Sequence, residues 1–128
     1  MNIRSMVFVA VITAGLALPT VASAGTTAEV GYVEGSLAVA DLAAGRLTRA
    51  EQILAAENAE DARDPARLIN LGIVYSRSGR VAEARHAFIS AERVAEAPLV
   101  LSDGREVSSR VVAREQLAML DRNSVAMR

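Results

Sequence analysis

Cysteine does not occur in this chain of 128 residues. Its absence excludes a disulfide framework, a thiol nucleophile, a cysteine zinc site and a lipid anchor on an N-terminal cysteine. Tryptophan is missing as well, and aromatic residues make up only 3% of the chain. A core must therefore be assembled from Ala, Leu, Val and Ile, a palette that favours helices packed closely on small side chains. Lysine is absent, so all 14 basic residues are Arg, and against 15 acidic residues they leave a formal net charge of -1. Charges of both signs are interspersed, which is not the basic footprint of a nucleic-acid binder. His86 is the sole histidine, so no His/Cys set for zinc can be completed. A G-x-S-x-G elbow and a Gly-rich phosphate loop are equally missing. These gaps argue against an enzyme and against a metal or cofactor. A small hydrolase relying on His86 is the remotest reading, since that side chain is expected on a solvated face.

What is present begins with an address. The segment "MNIRSMVFVAVITAGLALPTVASAG" carries Arg4, an apolar run from Met6 to Leu18, a break at Pro19 and the small-residue sequence Ala22-Ser23-Ala24. Those regions in that order are the parts of a secretory signal peptide, here residues 1–24, with cleavage after Ala24. The apolar run is short for a membrane span, which needs about 20 residues. The expected product is one exported domain, residues 25–128, with no stable membrane span; in a Gram-negative cell its location is the periplasm.

Sliding the chain against itself reveals an internal repeat. "GRLTRAEQIL" (Gly45 to Leu54) lies over "GRVAEARHAF" (Gly79 to Phe88) at an offset of 34 residues, with Gly45/Gly79, Arg46/Arg80 and Ala50/Ala84 identical. Leu47 lies over Val81, Leu54 over Phe88, and Leu37-Ala38 over Leu71-Gly72. Around the second copy, Leu68-x2-Leu71-Gly72-x2-Tyr75 and then Ala84-x3-Phe88, with Ala91 beyond, resemble the signature of the tetratricopeptide repeat family, W-x2-L-G-x2-Y followed by A-x3-F. Leu68 stands in place of the aromatic, and Glu96 stands where the closing proline is expected, with Pro98 two residues on. The first copy, residues 31–64, keeps the skeleton but has Glu34 and Asp41 at the places of Leu68 and Tyr75.

Local signals agree with that resemblance. Asp64-Pro65 is a helix start, an Asp suited to capping followed by a Pro where its missing N–H is harmless. The helix should stop at Gly79, and a second should run from about Val81 to Ala95 with Val81, Ala84, Phe88 and Ala91 on one stripe. In the first copy, helices are expected near Ser36–Ala44 and Leu47–Ala59, turning at Gly45. Thr48-x-x-Glu51 matches a capping box, but the repeat register puts Thr48 inside the first turn, so the match reads as accidental. "PLVLSDGREVSS" predicts a short hairpin-like connector over residues 99–108, turning at Asp103-Gly104. A capping helix over 109–121 follows, with Val111, Val112, Leu117 and Leu120 available for burial, and the tail from Asn123 frays. The expected fold is all-α: a short solenoid of two helix-turn-helix repeats (31–64 and 65–98), a connector and a cap.

Gly72 costs roughly 1 kcal/mol in a helix relative to Ala. The spacing predicts that it faces the small row Ala84 and Ala91, with Ala38 as its counterpart in the first copy. The family resemblance implies a concave face that holds a protein or peptide partner. Helical spacing places Val39, Leu42, Ile69, Ile73, Ser76 and Arg77 there, with Arg77 able to grip a carboxylate. Two other readings stay open: Ile69 and Ile73 pack inside the domain, or the face joins copies of the chain into a homo-oligomer.

Overall fold

A computed structural model describes residues 32–55, 57–101 and 104–127. The expected signal peptide, with Ala22 and Ala24, lies outside them. Helices carry the architecture: α1 (Val39–Ala43), α2 (Leu47–Leu54), α3 (Pro65–Arg77), α4 (Val81–Arg93) and α5 (Ser109–Ala126), with a 3-10 turn at Asp61–Arg63. One antiparallel ribbon interrupts them, β1 (Pro98–Val100) paired with β2 (Glu106–Ser108). Among the described residues no helix is long and apolar enough to cross a membrane.

The start of α3 forms as its sequence dictates. The Asp64 carboxylate accepts from the Ala66 N–H at 2.9 Å and Pro65 occupies the first turn, satisfying a donor that the helix itself cannot. Turns after α1 and α3 repeat one geometry. Gly45 has φ 72° and Gly79 φ 75°, values that glycine adopts without a Cβ penalty. In each turn the next N–H reaches back to the preceding helix, Arg46 to the Asp41 carbonyl and Arg80 to the Tyr75 carbonyl, both at 2.9 Å. Arg46 also stands as the N-cap of α2, so Thr48 lies within the helix and the capping-box match is indeed accidental.

The hairpin packs on the helices. Leu99, opposite Val107, is fully buried in the common core. The Ala97 N–H donates to Ser109 Oγ at 3.0 Å, and the Ser109 N–H returns a bond to the Ala97 carbonyl at 2.9 Å. Ser108 then caps α5 by accepting from the Arg110 N–H. Ser102 and Asp103, part of the expected turn, lie outside the described residues.

Several expectations need correction. The first helix does not begin at Ser36: the chain makes turns at Gly35 (φ 84°) and Ala38 (φ 55°), and helix starts only at Val39. The reason is tertiary, because the Leu37 carbonyl is taken by the Asn70 side-chain amide at 2.9 Å. α2 stops at Leu54 because the Arg67 guanidinium takes the Ile53 carbonyl at 2.8 Å, while Asn58 Oδ1 accepts from the Glu60 and Asp61 N–H groups and starts a new turn. α4 ends at Arg93, and α5 runs on to Ala126, so residues 123–126 are helical. Val81 and Val111 are exposed: Val81 keeps the stripe of Ala84, Phe88 and Ala91 but stands at the very first position of α4, whereas Val111 lies on the side of α5 opposite Ala113 and Leu120.

Gly72 faces a different neighbour from the expected one. A Cβ placed there would lie 2.4 Å from Phe88 Cε1 and 2.6 Å from Cδ1, far inside van der Waals contact. The residue that needs the space is the buried Phe88 ring, with Ala84 and Ala91 buried beside it on α4. Ala38 is no structural counterpart, since it stands at the N-cap of α1 in a left-handed conformation while Gly72 is inside α3.

Candidate docking site

The residues expected on a concave face are mostly withdrawn from it. Leu42 and Ile69 are fully buried and Ile73 nearly so, so these three cannot meet a partner. Val39 is partly buried against the core, and Ser76 and Arg77 are half-buried. Asn70, Ile73 and Arg77 share one face of α3 by their spacing of three and seven. The two polar residues of that row bond to the first repeat, Asn70 to the Leu37 carbonyl and Arg77 Nη1 to the Leu42 carbonyl at 2.8 Å. The segment around α1 thus lies along this face, and burial pushes the Arg77 guanidinium below its ordinary range. The internal-packing alternative is the arrangement observed for Ile69 and Ile73.

An open cleft lies at the other end of α3. Its volume is about 770 Å³, and it is walled by Tyr32, Val33 and Ser36 on one side and by the connector from Ala59 to Asp64, with Arg67, on the other. Tyr32 donates its hydroxyl to Asp64 Oδ1 at 2.9 Å, closing the bottom of the cleft onto the capped start of α3. Burial raises the Asp64 carboxyl above its ordinary 3.8, and the bond from Tyr32, the Ala66 and Arg67 N–H groups and the Arg67 charge pull it part of the way back. Arg67 is committed to the Ile53 carbonyl and, at 3.7 Å, to Asp61. The rim residues Val33, Arg63 and Glu60 remain exposed. Val33 is 80% exposed, and Arg63 is exposed with no hydrogen-bond or ion-pair partner among the described residues.

The polar groups that line the cleft are mostly engaged within the chain. Of its three carboxylates, Asp64 is a helix cap, Asp61 pairs with Arg67 and Glu60 is exposed; the Tyr32 hydroxyl donates to Asp64. Among the described residues no group of three or more His, Cys, Asp and Glu side chains is placed to hold a metal. His86 is exposed on α4, away from the cleft. No local signal in the sequence joins Tyr32 to Arg63, since Arg63 sits in the charged stretch "ENAEDARD" (57–64), whose composition is that of a solvated connector; the cleft exists only where the chain entering α1 returns beside it.

Comparison with known families, with curated proteins and with solved structures finds no match to any of them.

Proposed function

We propose that this chain is a non-catalytic docking module of the tetratricopeptide type, exported by its N-terminal address. It holds an extended protein segment in the cleft between Tyr32–Ser36 and the connector before α3. The observation that carries the reading is the pairing of an exposed Val33 with an Arg63 that has no partner among the described residues, across an open cleft. Such a rim offers an apolar contact and a two-pronged grip on a carboxylate. The solenoid reading is supported by the recurrence of one turn, with its glycine and its backbone bond, at the 34-residue offset. Binding on this cleft replaces the expected groove of Leu42, Ile69 and Ile73.

A library of extended peptides panned on the purified protein tests the proposal. Selected peptides should carry a carboxylate near an apolar residue, and should lose at least tenfold in affinity to Arg63→Glu and to Val33→Asp while helix content is unchanged. Failure to select any sequence, or equal binding by both variants, removes the proposal. The export reading is tested separately by N-terminal sequencing of the exported protein, where an intact Met1 would sink it.

A further inference from the structure

The outer side of α5 is covered by nothing among the described residues. Of the five large apolar side chains left exposed among the described residues, Val111 (41%) and Val125 (71%) lie on α5 and Met127 (88%) is its C-cap. Val111, Ala118 and Val125 recur every seven residues, so they fall along one line on the exposed face with only a small drift. Ala118 is exposed as well. The line spans about 21 Å at the rise of an α-helix, and it lies opposite the buried Val112, Ala113 and Leu120.

The charges beside that line decide what fits it. On one flank stand Glu115 and then Arg122, both exposed and without an ion-pair or hydrogen-bond partner among the described residues. On the other flank the order of signs is reversed, Arg114 and then Asp121. Those two already hold α5 to α4, through Arg114 with Glu92 at 2.7 Å and Asp121 with Arg85. When two copies of such a helix lie antiparallel about a two-fold axis at Ala118, each flank meets the same flank of the other copy, run in reverse. Glu115 then faces the second copy's Arg122, twice by symmetry. Val111 meets the second copy's Val125, and the two Ala118 residues allow the backbones to approach. The Arg114/Asp121 flank is complementary in the same way. A two-fold interface requires that self-complementarity of one patch.

We infer that α5 is a self-association surface, on which a second copy of this chain packs antiparallel along Val111, Ala118 and Val125, with Glu115 and Arg122 fixing the register. A single helix pair buries an area at the low end for a specific interface, so the dimer is a weak one that forms and parts with concentration. It stands independently of the cleft, which belongs to the opposite end of the chain.

Sedimentation equilibrium of the full chain, expressed from its own start and purified as the cell leaves it, tests the inference over a range up to millimolar concentration. The mass should rise toward twice the monomer. Glu115→Arg alone and Arg122→Glu alone place like charges opposite each other and should each weaken association by roughly tenfold or more, with circular dichroism unchanged because both sites are exposed. The double variant Glu115→Arg/Arg122→Glu exchanges the charges and should restore association. A monomer at every concentration overturns the inference. So does association that the single changes leave intact, or weakened association that the double change does not recover, since the former points to another surface and the latter to a register other than this one.

Discussion

Arg46 and Arg80 occupy the same place in the two helix pairs, 34 residues apart, yet they answer different partners. Arg46 donates from Nε to Asp41 Oδ1 at 2.6 Å, and the Asp41 side chain is only 9% exposed. Arg80 lies over the Tyr75 ring, 4.4 Å from its centre, and also donates to Glu51 at 2.8 Å and to Glu83. Asp41 and Tyr75 are themselves equivalent in the repeat. The first pair has therefore exchanged a cation stacked on an aromatic face for an ion pair, while the backbone bond between the two positions keeps its 2.9 Å length in both. The turn is built by glycine and backbone, and the side chains that brace it are interchangeable if they stay matched. The missing aromatic of the first repeat reads accordingly as a compensated exchange. In the second pair the carboxylates of Glu83 and Glu51 hold the Arg80 charge above its usual range, and Arg80 holds Glu83 below its own. Burial, reinforced by the Glu51 charge, raises the Tyr75 hydroxyl.

The sharpest way to strain this parallel lies in the packing. Phe88 and Leu54 are equivalent and both are fully buried. Phe88→Ala should cost about 3–5 kcal/mol and Leu54→Ala about 2–5 kcal/mol, measured by urea unfolding. Only the Phe88 site has a helical glycine against it. If Leu54→Ala proves costlier, the second pair is not the better-packed half and the repeat register loses its energetic support.

Gly72→Ala comes next. The added methyl gains roughly 1 kcal/mol in helix propensity but collides with the buried Phe88 ring, which must shift to admit it, at a cost of about 1–3 kcal/mol. The net result should be destabilising. In Phe88→Leu the same change should cost less, giving a coupled double-mutant cycle; additive effects would mean that the ring is not what excludes a side chain.

The two arginines then test the comparison directly. Arg46→Ala leaves the nearly dry Asp41 carboxylate with only Arg49, at 3.6 Å, and should cost about 1–3 kcal/mol. Arg80→Ala loses contacts that water readily replaces and should lower the melting temperature less. Equal losses would show that burial of the carboxylate does not distinguish the pairs.

The smallest effect is one of pH. Because the folded Asp64 pKa is raised above its unfolded value, its contribution to stability is fully present below about 3.8 and is lost as pH rises through the folded value. Asp64→Asn keeps the cap and an acceptor for Tyr32 but cannot titrate. The stability of wild type relative to this variant should grow as pH falls toward 3.8. A difference independent of pH would show that the carboxyl is not desolvated.

Much of the helical half of the fold was legible. The Asp64-Pro65 start, the stops at Gly45 and Gly79 and the amphipathic face of α4 follow from bonds and contacts within three or four residues, and sequence carries that information directly. Less of the site was legible. A row such as Asn70, Ile73 and Arg77 can be placed on one helix face by counting, but counting does not say whether that face is open. The same blindness hid the cleft, whose walls are far apart in sequence.

By itself, then, the sequence determined the repeat of 34 residues, the turns at Gly45 and Gly79, the start of α3 at Asp64-Pro65 and the small-residue palette of the core. The tertiary structure decided that α1 is short, that α3 turns its expected binding face toward the first repeat, and that Gly72 yields to Phe88. The physical reason is separation along the chain. Asn70 meets Leu37 across 33 residues and Arg77 meets Leu42 across 35, and such pairings are chosen by the packing of whole elements and not by any local preference.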